Sequence, residues 1–282
     1  MFSYIKQRLL IFLEEKGWRR HPKERNEFHG YPILATKGAF FRAHEKDDAW
    51  LFALSRHYHN IMDVGCNIGQ SSMLMLIGTE NKMICVDPNP KALSVCAENL
   101  IFNNLSTRVS FVNAFVGCEE GKEIEFFTIG TGAAGSMFSG FAKTATQHQQ
   151  SIFVKTRTLE SICQQSGFVP DFIKIDVEGA EQLVLQGIGN SLLAVKPVIF
   201  VEMHSGDGLR ITDNTQALLD WCKLNNYSAW YMKKHIRLTE VGLVADRGRY
   251  HALLLPNGVP YPEYLTLIPE NSPVSFVPES KK

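Results

Sequence analysis

The chain has 282 residues, 45% hydrophobic and 21% charged, ordinary values for a globular protein that needs no disulfide or metal staple to build a core. Lysine plus arginine (29) balances aspartate plus glutamate (29), and a net charge of zero argues against nucleic acid as a main partner, leaving room only for a local basic patch. No stretch reaches the roughly 18 apolar residues of a membrane span, so stable membrane insertion is not expected. Cys66, Cys85, Cys96, Cys118, Cys163 and Cys222 form no C-x-x-C pair, which suits reduced thiols in a cytoplasmic protein.

In chain order, residues 1–20 read as an amphipathic helix, with Ile5, Leu9, Phe12 and Leu13 on one side and Lys6, Arg8, Glu14 and Glu15 on the rest. The apolar run 9–13 is too short for a signal peptide, and charges follow it at once. Residues 21–44, punctuated by Pro22, Gly30, Pro32 and Gly38, are expected to be irregular. From residue 60 strands and helices alternate: strands over 61–64, 82–87, 109–112, 172–175 and 198–201, and helices over 70–77, 158–165, around 182–185 and over 215–225. Another helix follows Asn89, a good N-cap with Pro90 in the first helical position. Residues 228–232 and 251–255 read as a final edge pair. Such alternation implies right-handed crossovers and a mainly parallel sheet. Between the third and fourth strands the chain makes a long excursion. Extended segments at 123–129 and 152–157 bracket a Gly/Ala/Ser segment at 130–140 and a polar stretch at 143–151. Excursions of this length are more often functional than idle, and the 130–140 loop, with Ser136 and Phe138, is the candidate for acceptor selection. After residue 258 come Pro260, Pro262, Pro269, Pro273 and Pro278, and the tail is expected to be an irregular strap on the surface.

The chemistry concentrates at strand ends. Asp63-Val64-Gly65-Cys66-Asn67-Ile68-Gly69-Gln70 is a strand–turn–helix junction. Gly65 permits close approach of backbone to a ligand, Gly69 a tight helix start, and the helix N-terminus offers free N–H groups. Asp87 ends the next strand, where a carboxylate accepts hydrogen bonds from both ribose hydroxyls. Together these indicate a nucleoside-containing cofactor, with Pro88 beside Asp87 on the cleft. The nicotinamide dinucleotide fingerprint wants G-x-G-x-x-G, whereas here Asn67 stands in place of the second glycine. A carboxylate at Asp63 suits a nearby ammonium better than a pyrophosphate. Both points favour S-adenosylmethionine. Asn113 and Ala114 follow the third strand beside the expected adenine, although Asn113 also suits a plain turn. Asp176, Glu178, Glu202 and His204 end the fourth and fifth strands, where ligands of open α/β sheets bind. Lys174 lies in a run that should be buried and needs a partner such as Asp63 or Glu202. Glu181 is expected on a solvated helix face.

The segments IMDVGCNIGQ, VDPNP, RTLESI, DFIKIDVEGAEQLVLQGI and PVIFVEMH together resemble the FkbM family of S-adenosylmethionine-dependent methyltransferases, over residues 60–204. The block 174–181 is the most specific part. The family commonly has Ala-Asn after the first glycine, where this chain has Cys66-Asn67. The resemblance implies a Rossmann-like class I fold: a seven-stranded, mainly parallel sheet with an antiparallel last strand and helices on both faces. It also implies O-methylation of a hydroxyl on a sugar, glycolipid or natural product. The expected division is an N-terminal helix and lid (1–56), a methyltransferase domain (57–258) and a proline-rich tail (259–282). Cofactor binding falls to Asp63, Gly65, Cys66, Asn67, Gly69, Asp87, Pro88, Asn113 and Ala114. Catalysis falls to His204, Asp176 and Glu202, with His204 ranked first as base because an unperturbed imidazole titrates near pH 6.5. No metal is assigned, a divalent ion on Asp176 and Glu202 being the minority alternative. The partner is a small-molecule acceptor, and a homodimer is possible. An oxidoreductase or a non-catalytic cofactor-binding partner are the competing classes.

Overall fold

Strand β3 (Asn60–Val64) is a short apolar run whose side chains alternate between two cores. Ile61 packs with one and Met62 and Val64 with the other, all of them buried. The same alternation recurs in β9 (Phe172–Ile175), where Phe172 joins the first core and Ile173 and Ile175 the second. Burial on both faces is the condition of a parallel strand covered by helices on each side. In this computed structural model the described residues are 22–28, 31–37, 47–128, 136–137, 151–206 and 208–274. The readings of residues 1–20 as a helix and of 130–135, 138–140 and 143–150 as a loop lie outside them.

The remaining strands of the main sheet are β4 (Lys82–Asp87), β5 (Val109–Asn113), β10 (Val198–His204), β11 (Tyr227–Tyr231), β12 (Ile236–Arg237) and β13 (Arg249–Pro256). Their order is β12-β11-β13-β10-β9-β3-β4-β5. The run from β10 to β5 is parallel, and β13 lies antiparallel between β10 and β11. The eighth strand, β12, adds two residues to the edge beyond β11, which is one strand more than expected. The chain runs from β3 outward through β4 to β5 and returns on the other side of β3 as β9. The switch point therefore lies between β3 and β9, where ligands of such sheets bind.

Helices α1 (Asp48–Ser55), α2 (Gln70–Leu76) and α3 (Pro90–Phe102) cover one face, with Trp50, Met73 and Leu100 in the first core. Helices α4 (Leu159–Ser166), α5 (Glu181–Gln186), α6 (Asn190–Val195) and α7 (Ile211–Asn225) cover the other, burying Leu159, Val184, Leu192 and Leu218. Each fully buried aliphatic side chain of this kind contributes about 1.5–3 kcal/mol. Asn89 caps α3, its side chain accepting from the N–H groups of Lys91 and Ala92, and Thr158 caps α4 by accepting from Ser161. Gly167, at φ 65°, closes α4 in the left-handed conformation.

The excursion folds as a second, three-stranded sheet of β6 (Phe115–Val116), β7 (Glu123–Phe127) and β8 (Ser151–Arg157), with β8 in the middle. Phe115, Phe126 and Val154 form a small third cluster with Ala180.

Two expectations fail. Residues 23–36 are not irregular but form an antiparallel hairpin, β1 (Lys23–Phe28) with β2 (Tyr31–Thr36). The proline and glycine signals mask a short alternation in which Ile33 and Ala35 are buried. The hairpin docks on α3 because Asn99 Oδ1 accepts from Thr36 N–H, and Asn103 exchanges hydrogen bonds with both the N–H and the C=O of Leu34. As far as residue 274, where the described part of the tail ends, it is not a surface strap. Among these residues the prolines leave no long helix and one 3₁₀ stretch at Glu263–Leu267, yet Leu265 and Ile268 are fully buried in the first core. The indole of Trp50 donates to the Ile268 carbonyl at 2.6 Å.

Candidate active site

The turn after β3 is held against its neighbours by backbone bonds. The N–H groups of Gly65 and Cys66 both donate to Val86 O on β4, and Asp176 N–H donates to Val64 O. Gly65 has φ 80°, and a Cβ there would lie 1.8 Å from the carbonyl oxygen of Asp176, so no other residue fits. Gly69, at φ 88°, is fixed from another side: a Cβ would come within 2.7 Å of Cys96 Sγ on α3. Asp87 closes the turn. Its Oδ2 accepts from Asn67 N–H at 2.9 Å and its Oδ1 from Asn89 N–H at 2.8 Å. Burial raises the Asp87 carboxyl to about 7, against the pull of those two N–H groups.

A cleft of about 640 Å³ opens between these turns and the excursion. Of the residues expected to hold a cofactor, Gly65, Asn67, Asp87, Pro88 and Ala114 line it. Asn89, Phe115, Phe126, Thr128, Val177 and Glu178 also line it, and the sequence reading did not assign them to the cofactor. Asp63, Cys66 and Gly69 stand buried behind the wall, and Asn113 is exposed beside it. Asp63 is fully buried, with Oδ2 accepting from the hydroxyls of Ser71 and Ser72. Cys66 is buried among the thiols of Cys85 and Cys96. Asn113 uses its amide to donate to the carbonyls of Asp87 and Pro88, bracing the loop.

Beyond this cleft the ends of β9 and β10 bring together a dense charged group. Lys174 is buried, donates to Gly65 O at 3.2 Å and lies 3.2 Å from Asp63 Oδ1 and 3.5 Å from Asp176 Oδ2. Burial alone would lower its pKa, but Asp63 and Asp176 outweigh that and raise it. The partner is thus Asp63, the residue beside it on β3, and not Glu202.

His204 is 5% exposed, and its Nδ1 lies 2.8 Å from Glu181 Oε1. Glu181 corrects the expectation of a solvated helix face: it is fully buried and also accepts from Gly179 N–H and Asn214 Nδ2. The other ring nitrogen, Nε2, faces Glu178 Oε2 at 3.6 Å and Asp176 Oδ1 and Glu202 Oε1 at 3.8 Å. Burial lowers the imidazole pKa, but Glu181, Asp176 and Glu178 together raise it to about 9. The neighbouring carboxylates thus favour the protonated ring in the absence of a ligand.

Glu202 is buried beside His251 (Oε2 to Nε2, 3.5 Å) and Arg249 (Oε1 to Nη1, 3.0 Å). Burial would raise its carboxyl, but His251, His204 and Arg249 hold it down at about 2. Glu178 has φ 50°, an uncommon conformation outside glycine, and its carbonyl accepts from Ser136 Oγ. Burial raises the Glu178 carboxyl; His204 opposes this, and the nearby acids reinforce it. A second cleft, of about 780 Å³, is lined by Glu178, His204, Ser205 and residues 246–249. Glu178 is common to both clefts.

The doubly wound sheet, the glycine turn, and the acidic residue after the second strand define a Rossmann-like protein of the class I methyltransferase type. The chain belongs to the FkbM methyltransferases: residues 63–229 match the Methyltransferase FkbM domain. No curated protein matches the sequence. Among solved structures, it is similar to methyltransferase FkbM from Methylobacillus flagellatus (16% identity over 75% of this chain and 48% of that one, TM-score 0.47). It is also similar to an O-methyltransferase from Bacillus cereus in complex with SAH (15% identity, 74% and 79%, TM-score 0.42). The chain spans about half the length of the Methylobacillus protein.

Proposed function

We propose that this chain transfers a methyl group from S-adenosylmethionine to a hydroxyl of a small acceptor such as a sugar, glycolipid or natural product. The observation that carries this reading is Glu178, which lines both the cleft beside Asp87 and the cleft that opens on His204 and Arg249. A donor in the first cleft and an acceptor in the second would meet there. The residues fit the donor. Gly65 leaves backbone where a side chain would intrude. Asp87 presents carboxylate lone pairs suited to ribose hydroxyls, and the surrounding acids suit a cation. Asp63, Cys66 and Gly69 support that cleft from behind, and Asn113 braces the loop after Asp87.

When bound, the donor supplies an already activated methyl on a sulfonium, and the electrons of the broken C–S bond leave with the sulfur. The protein's tasks are to align the acceptor oxygen and to remove its proton. Asp176, Glu202 and His204 hold the acceptor end of the site. Glu178 takes the proton, burial having raised its carboxyl above the ordinary range and so made it a better proton acceptor. The test is transfer of labelled methyl from S-adenosylmethionine to a panel of hydroxylated acceptors. Glu178→Gln is expected to lower turnover by about 10²–10⁴-fold while leaving SAH affinity nearly unchanged. Full turnover in that variant would remove Glu178 from the chemistry, and absence of methyl transfer to any acceptor class would favour the non-catalytic reading.

A further inference from the structure

We propose that Asp176, Glu202 and His204 bind one divalent metal ion, of the manganese type, between the first cleft, which Asp176 lines, and the second, which His204 lines. This rests on the reading of that centre as the place of methyl transfer. The argument starts from the imidazole. His204 is nine-tenths buried, and its Nε2 has no hydrogen-bond partner. An imidazolium paired simply with a carboxylate closes to about 2.7–2.9 Å. Here Nε2 stands instead at 3.6–3.8 Å from three carboxylate oxygens, closing on none. The opposite nitrogen is anchored on Glu181 at 2.8 Å. An imidazole fixed by a carboxylate at one nitrogen and aimed by the other into a group of oxygens is how proteins orient a metal ligand.

One ligand atom from each of Asp176, Glu202 and His204 lies within 4.8 Å of the others, and His204 Nε2 stands 3.8 Å from both Asp176 Oδ1 and Glu202 Oε1, a spacing that two bonds of about 2.0–2.2 Å to a shared ion can span. The charges are arranged for it. Lys174 sits on Asp176 Oδ2 and leaves Oδ1 turned toward the ring. His251 faces Glu202 Oε2, so Oε1 points inward. Arg249 lies on that Oε1, but its side chain is 46% exposed and can swing into solvent. The cleft of about 780 Å³ gives an entry path past His204. One nitrogen and two carboxylate oxygens form a mixed, oxygen-rich donor set, suited to a divalent ion that keeps open positions for an acceptor hydroxyl. Glu178 then remains as the proton acceptor.

The experiment is a titration of the full chain with Mn²⁺, followed by electron paramagnetic resonance, with SAH binding measured in parallel by calorimetry. One Mn²⁺ per chain is expected, with a nitrogen hyperfine coupling from a directly bound imidazole. His204→Gln is expected to abolish the nitrogen coupling and to weaken binding by more than about tenfold, and Glu181→Gln to weaken it by about 10–100-fold. Asp213→Asn, which breaks an exposed ion pair with Arg210, leaves both unchanged. The coupling is read on the native protein, so it decides the matter even if a variant misfolds. Mn²⁺ that stays free at millimolar concentration, or that binds without nitrogen coupling, overturns the site. SAH binding without Mn²⁺ binding removes the ion and leaves the methyltransferase reading standing. Mn²⁺ binding with the nitrogen coupling but without SAH binding supports the ion and strikes the cofactor reading.

Discussion

Lys174 and Asp63 face each other across β9 and β3, each with almost no exposed surface. Removing one partner leaves a buried charge unpaired, so Lys174→Met is expected to cost about 3–5 kcal/mol in chemical denaturation. Adding Asp63→Asn should recover part of that loss, because neither charge is then stranded. Asp87 makes a separate prediction. Its carboxyl rises from the usual 3.8 to about 7 when the protein folds without ligand. The neutral form is thus favoured by folding, and its contribution to stability, complete below pH 4, is lost as pH climbs through 7. Ribose hydroxyls donate to the charged form, so SAH affinity is expected to rise with pH up to about 7 and then level off. Calorimetry across that range should show the rise in the native protein and a flat profile in Asp87→Ala, with affinity lower by about 1–3 kcal/mol at high pH. The place of Asp87 at a strand end was legible because a short apolar run stops there. Glu181 was not, because its burial depends on α5 folding onto His204 and Asn214, from distant parts of the chain.

At the scale of elements, local signals were reliable where a cap or turn is made by neighbouring residues. Asn89 and Thr158 cap the helices that follow them. Thr158→Ala is expected to lower stability by about 1 kcal/mol, read from the denaturation midpoint. Local signals failed where pairing is distant. The β1–β2 hairpin is fixed by Asn99 on α3 and Asn103 just past its C-terminus, more than sixty residues away, and the tail by Trp50. In the tail, proline content described what the backbone could not do and said nothing of where Leu265 and Ile268 go. Leu265→Ala, which empties a fully buried site, is expected to cost about 2–5 kcal/mol. A change below 1 kcal/mol would show that the segment lies loosely on the surface.

For the whole molecule, the mainly parallel character of the sheet followed from the strand–helix alternation, and the antiparallel last strand from the family resemblance. Of the second sheet, β7 and β8 were legible as extended segments and the two-residue β6 was not. The cofactor cleft's preference is testable directly: calorimetry is expected to show binding of SAH and negligible binding of NAD, since Asn67 occupies the place of the second dinucleotide glycine. The packing of Gly65 on the carbonyl of Asp176 has a wider consequence. Lys174 holds both residues, and Asp176 N–H is bonded to Val64 O. The turn after β3 and the turn after β9 are therefore tied together by backbone and side-chain bonds. Donor and acceptor are thus expected to be thermodynamically coupled, each tightening the other's dissociation constant by the same factor, because linkage is reciprocal. Equal dissociation constants for acceptor with and without SAH would show that the two turns act independently.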